Sequence, residues 1–386
     1  MNQIMNREQV LIDIVEKLDI PRSYYEKAKD RAQSLEDWLL RPASTVKDLN
    51  PQVYPQGSFR YGTVIRPIHE DGYYDLDLVV TFDLSKSTTT QKEVKRLLGV
   101  EVKSYALAKQ FNDSPDEKNR CWRLNYADEV NFHMDILPAV PADELQLLER
   151  IELSVPADLA IHEIAITDLR HPYYESICSD WFSSNPRGFA KWFEHRARKY
   201  ATHRIQRLIE SRAYASVEEI PPYELKTDLQ RIIQIMKRHR DIYFAEDATY
   251  APISMIITTL GTKAYSPMGS LLQDLVNVVK LMPTFIKDDD PRIENPVNPK
   301  EDFADRWKSD ENYEISFYDW HNQLLSDVHL IATSYDTELI QESIDSGFHL
   351  NVDVRTFTPA THFSMPKVVT STSPLVIPSG PKPWGL

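Results

Sequence analysis

Residues 75–82 read Asp-Leu-Asp-Leu-Val-Val-Thr-Phe, two carboxylates two positions apart at the head of an apolar run. On a β-strand such residues share one face, about 6 to 7 Å from each other along the backbone, so Asp75 and Asp77 point the same way. Leu76, Leu78, Val79 and Val80 mark the strand as largely buried. Two unpaired anions there would repel and carry a desolvation cost. Bound cations resolve the conflict. Magnesium prefers carboxylate and phosphate oxygens, and paired metal ions about 3.5 to 4 Å apart can clamp an in-line phosphoryl displacement. The motif alone fits an exposed strand end with two solvated aspartates equally well.

Its surroundings sharpen the reading. Upstream, Gly57-Ser58 offers a turn and a hydroxyl, so that backbone N–H groups and Ser58 could cradle the phosphates of a triphosphate, although an ordinary turn has the same composition. Gly57 and Gly62 have P-loop spacing, but Thr63-Val64 stands where Lys-Ser/Thr belongs, which excludes a Walker-type site. Downstream, in the stretch NFHMDILP, strand alternation sets Phe132, Met134 and Ile136 on one face and His133, Asp135 and Leu137 on the other. Asp135 can therefore complete a carboxylate triad, ligate one metal ion with Asp75 and Asp77, and accept a proton from an attacking hydroxyl. His133 shares that face either as a structural histidine or as a group behind the ligands.

The rest of the chain sets the frame. Helical periodicity runs from Arg7 to about Leu40 with a break at Pro21, short apolar runs between Pro51 and Pro141 predict a sheet, and helical patterns dominate after Pro172. Those patterns cover Phe189 to Ser211, Leu225 to Tyr243, Pro252 to Tyr265, Ser270 to Leu281 and Tyr318 to Ser334. The expected division is a core with N-terminal helices over 1–170, a helical domain over 171–345 and a mobile tail over 346–386. Asp288 to Asp305, rich in Pro, Asn and acids, reads as a long loop or a linker. No window has the roughly 18 apolar residues of a membrane span, and MNQIMNREQV lacks a signal-peptide core, so a cytoplasmic protein without membrane partners is expected. Two cysteines without a CxxC pair encode neither a disulfide framework nor a zinc site. A formal net charge of −14 weighs against long nucleic acid as a partner, which leaves small nucleotides.

Together, Gln56-Gly57-Ser58, Asp75-x-Asp77 and Asp135 resemble the active-site pattern of the DNA polymerase beta-like nucleotidyltransferases. Within that superfamily the chain is similar to bacterial cGAS/DncV-like nucleotidyltransferases, the CD-NTases of CBASS anti-phage defence. SNPRGFAKWF (184–193), LQRIIQIMKRHR (229–240), PISMIITTLGTKAY (252–265) and NPVNPKEDFADRW (295–307) extend the likeness over most of the chain. The resemblance implies an α+β fold, a polymerase beta-like palm of mixed sheet and helices plus a C-terminal helical domain, with nucleotides in the cleft between. It also implies synthesis of a cyclic di- or trinucleotide from nucleoside triphosphates with magnesium or manganese, and a separate effector protein that reads the product.

The same resemblance gives Lys237 and Ser254 as phosphate contacts from the helical half. A solvated Lys/Arg cluster and a helix N-terminal serine are their plainer readings. The tail ending Pro383-Trp384-Gly385-Leu386 is compatible with conjugation to a target, as in some CBASS systems, and equally with no such role, while an activating partner leaves no mark in the sequence. Two other functions remain at this stage. One is transfer of a nucleotide to RNA or protein, for which Arg196 to Arg212 could supply a local basic patch. The other is a non-catalytic nucleotide sensor.

Overall fold

The computed structural model describes residues 7–69, 72–126, 131–199, 226–287, 290–352 and Val354. Helix α1 (Arg7–Leu18) buries Val10, Leu11, Ile14, Val15 and Leu18, a stripe at helical spacing. Pro21 separates it from α2 (Arg22–Leu40), which buries Tyr25, Ala28, Leu35 and Leu39. The two helices part company: α2 joins the core under the sheet, whereas α1 joins the core of the helical half.

Strand β1 (Gln52–Pro55) leads into the short helix α3 (Gly57–Tyr61) and then β2 (Tyr74–Thr81). Helix α4 (Gln91–Ala108) crosses over before β3 (Asp116–Glu117), β4 (Trp122–Tyr126) and β5 (Phe132–Pro141). After α5 (Glu144–Glu152) and α6 (Ala157–Ala160) come β6 (Ile164–Ile166) and β7 (Phe182–Ser184). The sheet runs β1-β2-β5-β4-β3, with β6 pairing the far end of β5 and β7 pairing β6. Only β2 and β5 are parallel. A parallel pair needs a crossover, and α4 supplies it.

Short apolar runs between Pro51 and Pro141 predict only a sheet, so α4 departs from that expectation. Its signals are local. Thr90 caps the helix by accepting the Glu93 N–H at 3.1 Å, and Val94, Leu98, Val102 and Tyr105 line its buried face. Gly99 lets the helix lie directly on Trp122, because a β-carbon there would sit 2.3 Å from the indole. Glu101, 1% exposed, ties α4 to the turn after α2, accepting from Arg41 at 2.6 Å and from both the N–H and hydroxyl of Thr45 at 2.7 Å. Glu101→Ala therefore lowers stability by about 3 kcal/mol, the scale of charged buried hydrogen bonds, which denaturant unfolding would register.

The helical half comprises α7 (Pro186–Lys199), α8 (Asp228–Tyr243), α9 (Ser254–Ala264), α10 (Leu271–Leu281), α11 (Asn312–Thr333) and α12 (Thr337–Phe348). A capping box formed by Thr227 and Gln230 starts α8, whose apolar residues centre the second core. The stretch expected as a loop or linker folds instead into a hairpin, β8 (Glu294–Asn295) and β9 (Asn298–Asp302), with Val297 buried at its turn. At the other end α12 runs to Phe348, and Val352 and Val354 are buried. In packing, α1 lies with the helical half, β7 extends the sheet past 170, and buried residues continue to Val354. Residues 200–225 and 355–386, which hold most of the basic stretch and nearly all the expected tail, lie outside the described residues.

Candidate active site

Alternation along β2 and β5 creates two unlike faces. Leu76, Leu78, Val80, Met134 and Ile136 enter the core under the sheet. Asp75, Asp77 and Asp135 stand on the opposite face, and the parallel register places Asp77 beside Asp135 and Asp75 beside His133. Farther along, Tyr54, Val79, Leu137, Ala139, Ile164 and Ile166 pave that face with apolar side chains.

The turn at Gly57 closes one side of the carboxylates. Gly57 has φ +64°, and a β-carbon on it would lie 2.4 Å from the Asp77 Oδ2. Glycine thus serves two needs here, a left-handed backbone and close approach to a carboxylate. The Gln56 N–H donates to the Asp77 carbonyl at 2.9 Å, and the Thr63 N–H to the Ser58 carbonyl at 2.9 Å. Gln56, Gly57, Ser58, Asp75, Asp77 and Asp135 are therefore brought together.

Charge in this cluster is not balanced. Burial, then Asp75 and Asp135, push the Asp77 carboxyl up to about 7, against the opposing pull of Lys237 and Arg123. Asp75 is the outermost, its side chain 63% exposed, with His133 Nδ1 3.4 Å away. His133 in turn stacks on Tyr73, with ring centroids 4.1 Å apart. Asp135 gives its two oxygens to Arg123 of β4 at 2.6 and 2.7 Å, and this pairing holds the guanidinium strongly protonated. Sequence reasoning missed Arg123. The signal was its place opposite Asp135 in a neighbouring antiparallel strand, which needs the register of β4 on β5.

Hard oxygen donors in a cluster of uncompensated negative charge suit magnesium or manganese, and Asp75 and Asp77 are the carboxylates free to receive it. Among the described residues no three acidic, imidazole or thiol groups converge as a ready-made metal site.

The two residues proposed from the helical half sit differently. Lys237 is 7% exposed and donates to the Thr63 carbonyl at 3.1 Å, while burial brings its ammonium down to about 8. Its charge acts on Asp75 and Asp77, but its Nζ is engaged by backbone. Ser254 opens α9 and accepts from Arg240 at 3.2 Å, linking α9 to α8. Sheet and helical half also enclose a cleft of 1110 Å³, with Arg120, Phe182 and Ser183 on one side and Ile253, Met255 and Tyr313 on the other. The three carboxylates are not among its lining residues. No described helix is long and apolar enough to cross a membrane.

Several known proteins are similar to this chain in sequence and fold. Residues 51–138, from β1 to β5, match the nucleotidyltransferase-domain family described as cyclic GMP-AMP synthase DncV-like. The chain is 27% identical over 304 residues to a c-di-GMP synthase of Roseivirga ehrenbergii, covering 78% of this chain and 73% of that one. It is 24% identical over 361 residues to the cyclic dinucleotide synthase CdnG of Bradyrhizobium diazoefficiens, covering 88% and 80%. The solved structure of that CD-NTase in complex with GTP has the same fold, with a TM-score of 0.66 at 21% identity over 89% of this chain and 95% of that one.

Proposed function

We propose that this chain is a DncV-like nucleotidyltransferase that joins nucleoside triphosphates into a cyclic dinucleotide messenger, which a separate effector reads in anti-phage defence. The observation that carries this reading is the in-register set Asp75, Asp77 and Asp135 with Gly57 packed against Asp77. The relatives' printed activities supply the product class.

In this reading Asp75 and Asp77 hold magnesium or manganese. When bound, the metal offsets the charge of the leaving pyrophosphate and favours ionisation of the attacking ribose hydroxyl. The chain's own groups do the rest. The Gly57-Ser58 turn seats the triphosphate of the donor nucleotide; the Ser58 hydroxyl has no protein partner among the described residues and is free to donate to phosphate. Asp135 takes the hydroxyl proton as the new phosphodiester oxygen bond forms to the α-phosphate and pyrophosphate departs. Arg123, bonded to both oxygens of Asp135, keeps that carboxylate oriented between turnovers. Lys237, anchored on Thr63, lends positive charge beside the phosphates rather than a direct contact. A second transfer between the joined nucleotides closes the ring.

The test is pyrophosphate release from mixed ATP, CTP, GTP and UTP. Release with magnesium or manganese, its loss with chelator, and its absence in Asp75→Ala are expected. Undiminished release by Asp75→Ala would remove that residue from the site.

A further inference from the structure

Four side chains of α8 end on carbonyls of a single segment. Gln230 donates to Tyr61 O at 2.8 Å, Gln234 to Val64 O at 2.8 Å, Lys237 to Thr63 O at 3.1 Å and Arg238 to Arg66 O at 2.7 Å. Positions 230, 234, 237 and 238 recur at helical spacing, so one stripe of the helix faces segment 61–67. These carbonyls belong to no strand, and leaving them buried without donors would be costly. Gln234, with no exposed surface, also donates to Asp19 at 3.0 Å, and Asp19 pairs with Lys226. The Arg66 N–H meanwhile donates to Leu18 O at 3.0 Å. The segment is thereby gripped by α8 on one side and by the end of α1 on the other.

What the grip controls follows from connectivity. Segment 61–67 directly continues the Gly57-Ser58 turn, and the Thr63 N–H bonds back to Ser58 O. Moving Val64 therefore moves Ser58, and with it the seat beside Asp77. Neither glutamine is part of the carboxylate cluster.

We propose that Gln230 and Gln234 are positioning residues for triphosphate binding, holding the segment that fixes Ser58 and so coupling the helical half to the catalytic turn. The inference rests on reading that turn as the triphosphate seat. Methionine at either position keeps the side-chain length and adds no charge but removes the amide donors, so the turn loses its support while packing is kept; at Gln230 it also opens the capping box with Thr227. Nucleotide affinity is then reduced more than the rate of the bound complex.

The experiment measures magnesium-dependent binding of ATP, CTP, GTP and UTP by calorimetry, together with KM and kcat, for wild type, Gln230→Met, Gln234→Met and Ser343→Ala. Ser343→Ala removes a buried hydrogen bond to Asp327 in the same half without touching segment 61–67, and so controls for simple destabilisation. The expected result is about a tenfold rise in Kd and KM for Gln234→Met with kcat nearly unchanged, a smaller rise for Gln230→Met, and neither for Ser343→Ala. If Gln234→Met does not fold, the shift in Gln230→Met decides, read against Thr227→Val, which breaks the same capping box without touching segment 61–67. Wild-type affinity in the glutamine variants, or a loss shared with Ser343→Ala, overturns the positioning role alone. A wild-type protein that binds none of the four nucleotides overturns the proposed function as well.

Discussion

Replacing Asp77 with asparagine abolishes turnover and, in the absence of metal, raises the melting temperature. The two effects share a cause. Asp77 is half-buried between two other carboxylates, and the push of its carboxyl up to about 7 records burial and repulsion without a matching cation. Asparagine has the same shape and no charge, so it relieves that repulsion in the folded state and stabilises the metal-free protein by a few degrees. The same exchange removes a metal ligand, and turnover falls by more than about 100-fold, beyond what losing an outer support of a ligand costs. Adding magnesium or manganese should then narrow or reverse the stability gap, because only the wild type gains from binding. Thermal unfolding of both proteins with chelator and with metal reads this out. An asparagine variant that melts lower in chelator would mean Asp77 is paired and structural.

Gly57→Ala is expected to be nearly as damaging to activity, by another route. A left-handed backbone costs an L-residue about 1 to 2 kcal/mol, and the new methyl would also meet the Asp77 Oδ2 at 2.4 Å. Relief requires the turn to lift or Asp77 to rotate, and either separates the phosphate seat from the metal-binding carboxylate. Turnover should fall by about 100-fold or more while the far-ultraviolet circular dichroism stays that of the wild type, since misplacement of about 1 Å at a reacting centre has that scale of effect. Wild-type turnover would show that the turn and Asp77 do not act together.

Much of this site was legible in advance because the carboxylates obey strand periodicity. A period of two puts Asp75 with Asp77, and Asp135 with His133, before any pairing is known. The parallel register that sets Asp77 beside Asp135 depends on the crossover through α4, a helix whose buried stripe is diluted by Gln91, Lys95 and Glu101. Arg123 was invisible for a related reason, because its role arises only across a strand pair. Lys237 illustrates a different limit. Its position on α8 was correctly helical, but a loop carbonyl competes for its ammonium, and long-range competition of that kind leaves no trace in local spacing. The grip of Gln230 and Gln234 is the same lesson: polar residues inside an apolar helix announce a buried partner without naming it. At the chain's start, periodicity identified α1 and α2 as helices, yet only packing separates α1 from the sheet.

The most direct test of the central claim is the identity of the product. Purified protein incubated with the four ribonucleoside triphosphates and magnesium or manganese, then treated with phosphatase and resolved by chromatography and mass spectrometry, should yield a small product without terminal phosphates whose mass equals two linked nucleoside monophosphates less the water lost on ring closure, and Asp77→Asn should yield none. Label that instead appears on added RNA or protein, with no phosphatase-resistant small product, would contradict cyclic dinucleotide synthesis.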